Sequence, residues 1–165
     1  MKTPEEIFLM NALPAAMFCS NAKANALELE EKFIKREFPS RQELEEMFPA
    51  AFKRIKQFAN SENPEKFWTP EIVKDYWLKE HNRIIDNKED GYDKFTDELR
   101  EFCKVSLGIV LEINPDDDCW IVLVNFKEKE IKLKSHIKLE KGDKISFHLG
   151  QVVAKLSEED INKYF

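Results

Sequence analysis

Two short patterns near the C-terminal end of the chain contain the residue types most able to do chemistry. They are Cys103-x4-Gly108-x3-Glu112-Ile113 and Gly142-Asp143-x4-His148-x-Gly150. A cysteine thiolate and a histidine imidazole form a soft ligand pair that suits iron or zinc. The candidate metal ligands are therefore Cys103 and His148, and we predict that their side chains lie close enough to share a ligand site. Taken singly, a buried small cysteine and a structural histidine are the alternative interpretations.

The glycines divide the chain into two regions. None of the four glycines precedes residue 91, and three of them lie inside the two patterns. Glycine serves where a chain turns sharply or where another backbone approaches closely. We therefore predict turns or close approaches at Gly108, Gly142 and Gly150, with Glu112 and Asp143 as structural or partner-binding members of the same patterns.

The first region is predicted to be helical, because proline and capping residues stand where helices begin. Such starts are found at Thr3-Pro4, Ser40-x-x-Glu43 and Thr69-Pro70. We expect helices over about 4–12, 14–37, 41–59 with a break before Pro49, 70–87 and 92–102. Apolar residues at helical spacing, including Leu27, Phe33 and Ile34, predict a phenylalanine-rich helix-bundle core rather than a cofactor pocket.

From about residue 105 the apolar period changes from 3.6 to 2, which predicts β-strands. Strands are expected at 106–113, 119–126, 130–133, 145–149 and 151–156, with turns at 114–118 and 141–143 and a final helix from Ser157. Five or six short strands favour a small antiparallel β-barrel of the OB-like or SH3-like kind. The predicted fold class is α+β, with an all-α helical domain at 1–102 that docks a partner and a barrel domain with a C-terminal helix at 103–165.

Composition and charge argue against several classes of function. The 165 residues carry a formal net charge of −6 and residues 103–165 contain no arginine, so nucleic acid is not expected as a partner. The sequence has no apolar run of about 20 residues, and Glu5 and Glu6 are unlike a signal peptide, so we expect a cytoplasmic protein without a membrane partner. Three cysteines without CxxC spacing argue against a disulfide framework or a structural zinc site. Without a phosphate loop or another catalytic signature, the protein is not expected to be an enzyme.

The stretch from Cys103 to the C-terminus resembles the HypC/HupF family of hydrogenase-maturation chaperones. CKVSLGIVLEI is similar to the family's opening of a cysteine, an apolar run, a glycine and a Glu-Ile strand end. KGDKISFHLGQVVAKLSEEDINKYF is similar to its Gly-Asp, His-x-Gly and Glu-rich terminal helix. The resemblance implies a small OB-like barrel that works with the scaffold protein HypD. Such a barrel brings an iron centre with cyanide and carbonyl ligands to the large-subunit precursor of a nickel–iron hydrogenase.

Carried over residue by residue, the family's essential cysteine and histidine fall on Cys103 and His148, and iron is the implied transient cargo. Two features depart from the family pattern. The family's cysteine is N-terminal after removal of methionine, whereas Cys103 is internal and has no free amino group. Leu107 replaces the family's proline before the glycine.

The resulting hypothesis is a non-enzymatic accessory protein that binds a hydrogenase large-subunit precursor or a HypD-like scaffold and carries iron transiently. The alternative is a generic protein-interaction module with an OB-like barrel and no metal role. Residues 1–102 resemble no family known to us, and this helical domain, fused to the barrel, is expected to dock on a partner.

Overall fold

The computed structural model describes residues 2–18, 25–115 and 119–164. The chain divides into two compact units, residues 1–81 and 82–165. Helices come first, then a closed β-barrel and a C-terminal helix, which confirms the predicted α+β fold class. Cys19 and the predicted turn residues 116–118 lie outside the described residues.

The helices are short, and several follow one another directly. Their bounds are α1 (Pro4–Phe18), α2 (Ala26–Ile34), α3 (Arg41–Met47), α4 (Pro49–Ala59), α5 (Pro64–Phe67), α6 (Pro70–Asp75), α7 (His81–Asp86), α8 (Asp97–Cys103) and α9 (Glu158–Tyr164). A π-helical turn (Tyr76–Glu80) joins α6 to α7, and a 3-10 turn (Tyr92–Lys94) precedes α8. Among residues 2–18, 25–115 and 119–164, no helix has the length and apolar character needed to cross a membrane.

Helix starts follow the predicted capping chemistry. The Ser40 hydroxyl accepts the N–H of Glu43, and the Glu43 carboxylate accepts the N–H of Ser40. The Thr69 hydroxyl accepts the N–H of Ile72 at the start of α6. The expected break before Pro49 is present between α3 and α4. These boundaries depend on local chemistry, which is why the sequence predicts them.

The predicted break at Pro14 is wrong, because α1 continues through this residue. A proline inside a helix removes the N–H donor for the carbonyl four residues earlier, here that of Met10. Tertiary burial offsets this loss, since five residues of α1 are at most 1% exposed: Phe8, Leu9, Ala12, Leu13 and Ala16. The predicted helix over 14–37 also ends early, at Ile34, and Arg36 takes a left-handed φ of 61°.

Aromatic side chains form the core of the helical unit, as predicted. Phe8 is fully buried, with ring centroids at 5.1 Å from Phe52 and 5.4 Å from Trp68. The Phe52 and Trp68 rings stack on each other at 4.5 Å. By contrast, Leu27 and Ile34 are 75% and 50% exposed, so their expected burial is wrong. These two residues are separated by two helical turns and share one face of α2.

Within the described residues, five strands close into a barrel. They are β1 (Ser106–Pro115), β2 (Trp120–Phe126), β3 (Lys129–Ser135), β4 (Lys144–His148) and β5 (Gln151–Lys155). Their order around the barrel is β1-β2-β3-β5-β4. Neighbouring strands are antiparallel except β3 and β5, which run parallel and pair at Lys134 and Gln151. This five-stranded closure corresponds to the OB-like form of the prediction.

The barrel interior explains the position of Gly108. A Cβ atom at this residue would lie 2.3 Å from Cγ1 of Val124, so the predicted close approach is confirmed. Gly142 and Gly150 have φ values of 89° and 80°, which confirms the predicted turns. A cluster of buried apolar side chains forms the core of the barrel: Val110, Val122, Val124, Leu133, Leu139, Ile145, Phe147 and Val152.

Residues 82–102 group with the barrel, whereas the predicted domain boundary lies between 102 and 103. The side-chain amide of Asn82 donates to the carbonyl oxygen of Val105 at 2.8 Å and accepts the N–H of Val105 at 2.9 Å. Lys104 forms ion pairs with Asp86 and Glu101. These bonds hold α7 and α8 against the chain that enters β1. The unit that contains the barrel therefore begins before residue 105, where the spacing of apolar residues changes from helical to strand-like.

Candidate functional site

Cys103 is the last residue of α8, directly before the barrel. The helix begins after Thr96, whose hydroxyl accepts the N–H of Leu99, and it ends where Lys104 adopts extended backbone. Cys103 forms no disulfide with the described residues and is 3% exposed. Its thiol is therefore buried, at the position where the resemblance to the HypC/HupF family implies a reactive cysteine.

Lys104 is the charged neighbour of Cys103. Its ammonium group lies 2.5 Å from a carboxylate oxygen of Asp86 and 2.5 Å from one of Glu101. Burial alone would lower the pKa of Lys104, but the hydrogen bonds to these two carboxylates outweigh it and the pKa is raised. Because its charge is paired twice, Lys104 has less effect on a Cys103 thiolate than an unpaired lysine would have.

His148 is the last residue of β4 and is 1% exposed. β4 pairs with the beginning of β1, and Phe147 lies opposite Ser106. The end of β4 therefore lies beside the chain that leaves α8. There the imidazole Nε2 of His148 is 3.0 Å from the carbonyl oxygen of Cys103. The two sequence patterns meet at this buried contact.

The Cys103–His148 contact has a defined donor. A carbonyl oxygen only accepts hydrogen bonds, so Nε2 of His148 carries a hydrogen and donates it to Cys103. In the part of the chain that the structure describes, no group of three or more His, Cys, Asp or Glu side chains is placed to hold a metal ion. The hypothesis that Cys103 and His148 bind metal thus depends on the proximity of the two residues. Their contact joins the imidazole of His148 to the main-chain carbonyl of Cys103.

The Gly142-Asp143 turn is a structural part of the barrel. The N–H of Gly142 donates to the carbonyl of Val110 at 2.8 Å, and the N–H of Val110 donates to the carbonyl of Asp143 at 2.9 Å. The Asp143 carboxylate accepts the N–H of Glu140 at 2.8 Å and pairs with Lys155 at 2.7 Å. Burial alone would raise the pKa of Asp143, but these bonds outweigh it and the pKa is lowered.

Two further motif residues lie elsewhere on the barrel. Glu112 is exposed on β1, and its carboxylate accepts the side-chain amide of Asn114 at 3.1 Å. Gly150 lies between β4 and β5, and its carbonyl accepts the N–H of Lys134 at 3.0 Å. Gly150 therefore takes part in the closure between β3 and β5, while Glu112 lies on the outside of the barrel.

The sequence patterns do not single out two polar residues of this region. Asn82 bonds both main-chain groups of Val105, and no fixed spacing connects the two residues. Ser146 is 1% exposed, and its hydroxyl forms no hydrogen bond with the described residues. Strand alternation places the side chains of Ser146 and His148 on the same side of β4. This two-residue spacing is the sequence signal that could have indicated Ser146 as a neighbour of His148.

Glu101 is the most strongly shifted carboxylate near the site. It accepts hydrogen bonds from Lys104 and, at 2.8 Å, from Lys127 in the β2–β3 turn. These bonds lower the pKa of Glu101 to about 2 from an ordinary value of 4.5. A carboxylate whose pKa is lower in the folded state than in the unfolded state stabilises the fold at any pH above its unfolded-state pKa. This stabilisation is lost as the pH falls toward the folded-state pKa.

We therefore expect Glu101→Gln to reduce the free energy of unfolding at neutral pH and to lose this effect as the pH falls from about 4.5 to 2. The side chain is 49% exposed, so solvent screening limits the difference to about 0.2–1 kcal/mol. Urea unfolding of both proteins across this range provides the measurement. A difference that stays constant with pH would contradict the assignment.

Comparison of the chain with protein-family models, with curated proteins and with solved structures finds no match. The resemblance to the HypC/HupF family is a hypothesis carried by the two residue patterns.

Proposed function

We propose that this chain is a non-enzymatic, cytoplasmic accessory protein of nickel–iron hydrogenase maturation. In this proposal the barrel binds the large-subunit precursor or a HypD-like scaffold. The closed five-stranded barrel and the helix α9 that follows it support the proposal, because the resemblance implies both. The positions of Cys103 before β1 and His148 at the end of β4 support it further.

One observation carries most of the argument. The Nε2 of His148 lies 3.0 Å from the carbonyl oxygen of Cys103, although the two residues belong to separate motifs. The resemblance implies that this cysteine and this histidine act together, and residue spacing alone does not require their contact. A partner that binds at Cys103 would therefore also contact the main chain that His148 holds in place through its hydrogen bond.

Partner binding is better supported than iron carriage. Iron is a cargo in this proposal, and its transfer requires access to the Cys103 thiol. That residue is 3% exposed and its main chain is held by His148. The generic protein-interaction module is accordingly the second candidate, favoured by the burial of Cys103 and by its lack of a free amino group.

The helical unit is proposed to provide a second docking surface for the same partner. Leu27 and Ile34 are exposed on one face of α2. Glu28 forms an ion pair with Lys32, and Glu31 forms one with Lys35, which directly follows the helix. Exposed leucine and isoleucine side chains beside paired charges are a composition that suits protein contact.

The proposal is tested by affinity capture with the full chain as bait in a host that expresses a nickel–iron hydrogenase system. We expect the large-subunit precursor or the HypD-like scaffold to be retained. Cys103→Ala should reduce that retention about tenfold, since the resemblance places the recognised cysteine there. Cys119→Ala is the matched control, because Cys119 directly precedes β2, lies outside both sequence patterns and should not affect capture.

Thermal unfolding of each variant shows whether a lost interaction reflects lost folding. Repeated recovery of unrelated proteins alone would contradict the role in hydrogenase maturation and favour the generic module. Capture of the expected partner with anaerobically added iron bound to the wild-type chain, and not to Cys103→Ala, would extend the proposal to iron carriage.

A further inference from the structure

Strand β3 has an edge that the barrel closes only in part. The N–H of Lys134 donates to the carbonyl of Gly150, so the main-chain groups of Lys134 point toward β5. In a β-strand these groups alternate between the two edges, so those of Glu130 and Lys132 point the same way as those of Lys134. Within the described chain, the register between β3 and β5 contains the single pair Lys134 and Gln151. The first half of β3 thus pairs with β2 along one edge. Along its other edge it lies beyond the point where β3 pairs with β5.

The side chains along this edge are accessible and charged. Glu130 and Lys132 are both exposed, and neither forms an ion pair with the described residues. Unpaired strand edges are templates for another strand, and lysines on an edge usually protect against that pairing by repulsion. Here the alternation of Glu130 with Lys132 places opposite charges beside each other, so one antiparallel register becomes attractive.

That register follows from the positions of the two charges. If a second copy of β3 is added antiparallel about a two-fold axis at Ile131, Glu130 of each copy faces Lys132 of the other. Both residues present their main-chain groups to the edge, as a hydrogen-bonded antiparallel pair requires. A shift of two residues instead places Lys132 opposite Lys132 or Glu130 opposite Glu130, which is repulsive. A shift of one residue turns the wrong main-chain groups toward the partner.

We propose that the β3 edge pairs with the β3 edge of a second copy of this chain and forms a two-fold symmetric dimer. The self-complementary charge of the edge identifies the occupant, because a two-fold interface brings the same patch of both copies together. This inference does not depend on the role in hydrogenase maturation. The edge is short, so the dimer belongs to the weak, concentration-dependent class of interfaces.

Charge reversal tests the register directly. Sedimentation velocity of the full chain from about 1 µM to 1 mM should show a reversible increase toward twice the monomer mass, as expected for a small interface. Glu130→Lys and Lys132→Glu each place like charges opposite each other twice and should weaken self-association at least about tenfold. An equimolar mixture of the two variants restores opposite charges at both positions, so it should associate at least as well as the wild-type chain. The double variant Glu130→Lys/Lys132→Glu should also self-associate.

Glu159→Lys is the matched control, because Glu159 is exposed and belongs to α9 rather than to the edge strand β3. It changes the net charge as Glu130→Lys does and should leave association unchanged. A wild-type chain that stays monomeric at 1 mM would overturn the proposal. So would a mixture of the two single variants that fails to associate, or a dimer that persists equally in each variant alone. The charge-swapped mixture keeps the test decisive even if one variant is less stable.

Discussion

Gly108→Ala is expected to destabilise the barrel by about 2 kcal/mol, within the range found for overpacked cores. The added methyl group would lie 2.3 Å from Cγ1 of Val124 and 3.3 Å from both the Asn125 carbonyl oxygen and the Phe147 ring. Val124 is fully buried, so its side chain has little room to move away. Urea unfolding followed by far-ultraviolet circular dichroism measures the change.

The role of Val124 can be isolated with a double-mutant cycle. Val124→Ala removes the contacting methyl group, so Gly108→Ala should destabilise the Val124→Ala protein by less than half as much as it destabilises the wild type. An equal loss in both backgrounds would mean that another contact causes the effect. No loss in either background would contradict the close approach at Gly108.

The second large effect is expected at His148. Replacing it with leucine leaves the buried carbonyl oxygen of Cys103 without its donor and should reduce the free energy of unfolding by about 1–3 kcal/mol. His148→Gln is the matched control, since its side-chain amide retains an N–H donor and should lose less. Equal stability of the leucine variant and the wild type would show that this hydrogen bond does not hold the chain at Cys103.

These experiments also separate structure from function at the motif. If His148→Gln folds as stably as the wild type but fails to capture the hydrogenase partner, the imidazole has a role beyond holding Cys103. If capture and stability fall together in His148→Leu and recover together in His148→Gln, the histidine acts by positioning the main chain.

The barrel was predictable because each of its signals is local. Alternating apolar residues indicate strands, and the glycines at 142 and 150 mark turns whose positive φ values the structure confirms. Helix starts with capping residues were predictable for the same reason. The continuation of α1 through Pro14 was not, because it depends on burial against distant residues. The exposure of Leu27 and Ile34 likewise depends on which side of α2 meets the core.

The site was predictable only in part. The motifs indicated that Cys103 and His148 belong together, and the structure brings these residues into contact. The contact uses the carbonyl oxygen of Cys103, an atom that every residue possesses. The pattern of side chains in a sequence therefore does not predict which main-chain group a histidine will bond. The bonds of Asn82 to Val105 are hidden for the same reason, since one partner is main chain.

Closure of the barrel between distant strands has a consequence for the order in which the chain folds. β2 and β3 are joined by a tight turn, whereas β1 pairs with β4, from Ser106 opposite Phe147. Pairing across a long stretch of chain is slower than local pairing, because more chain entropy is lost before the contacts form. During synthesis the helical unit leaves the ribosome before the β1–β2–β3 meander. Until β4 and β5 are made, β1 and β3 both remain open edges, so the interval before the last strands emerge is the nascent chain's period of greatest exposure to aggregation.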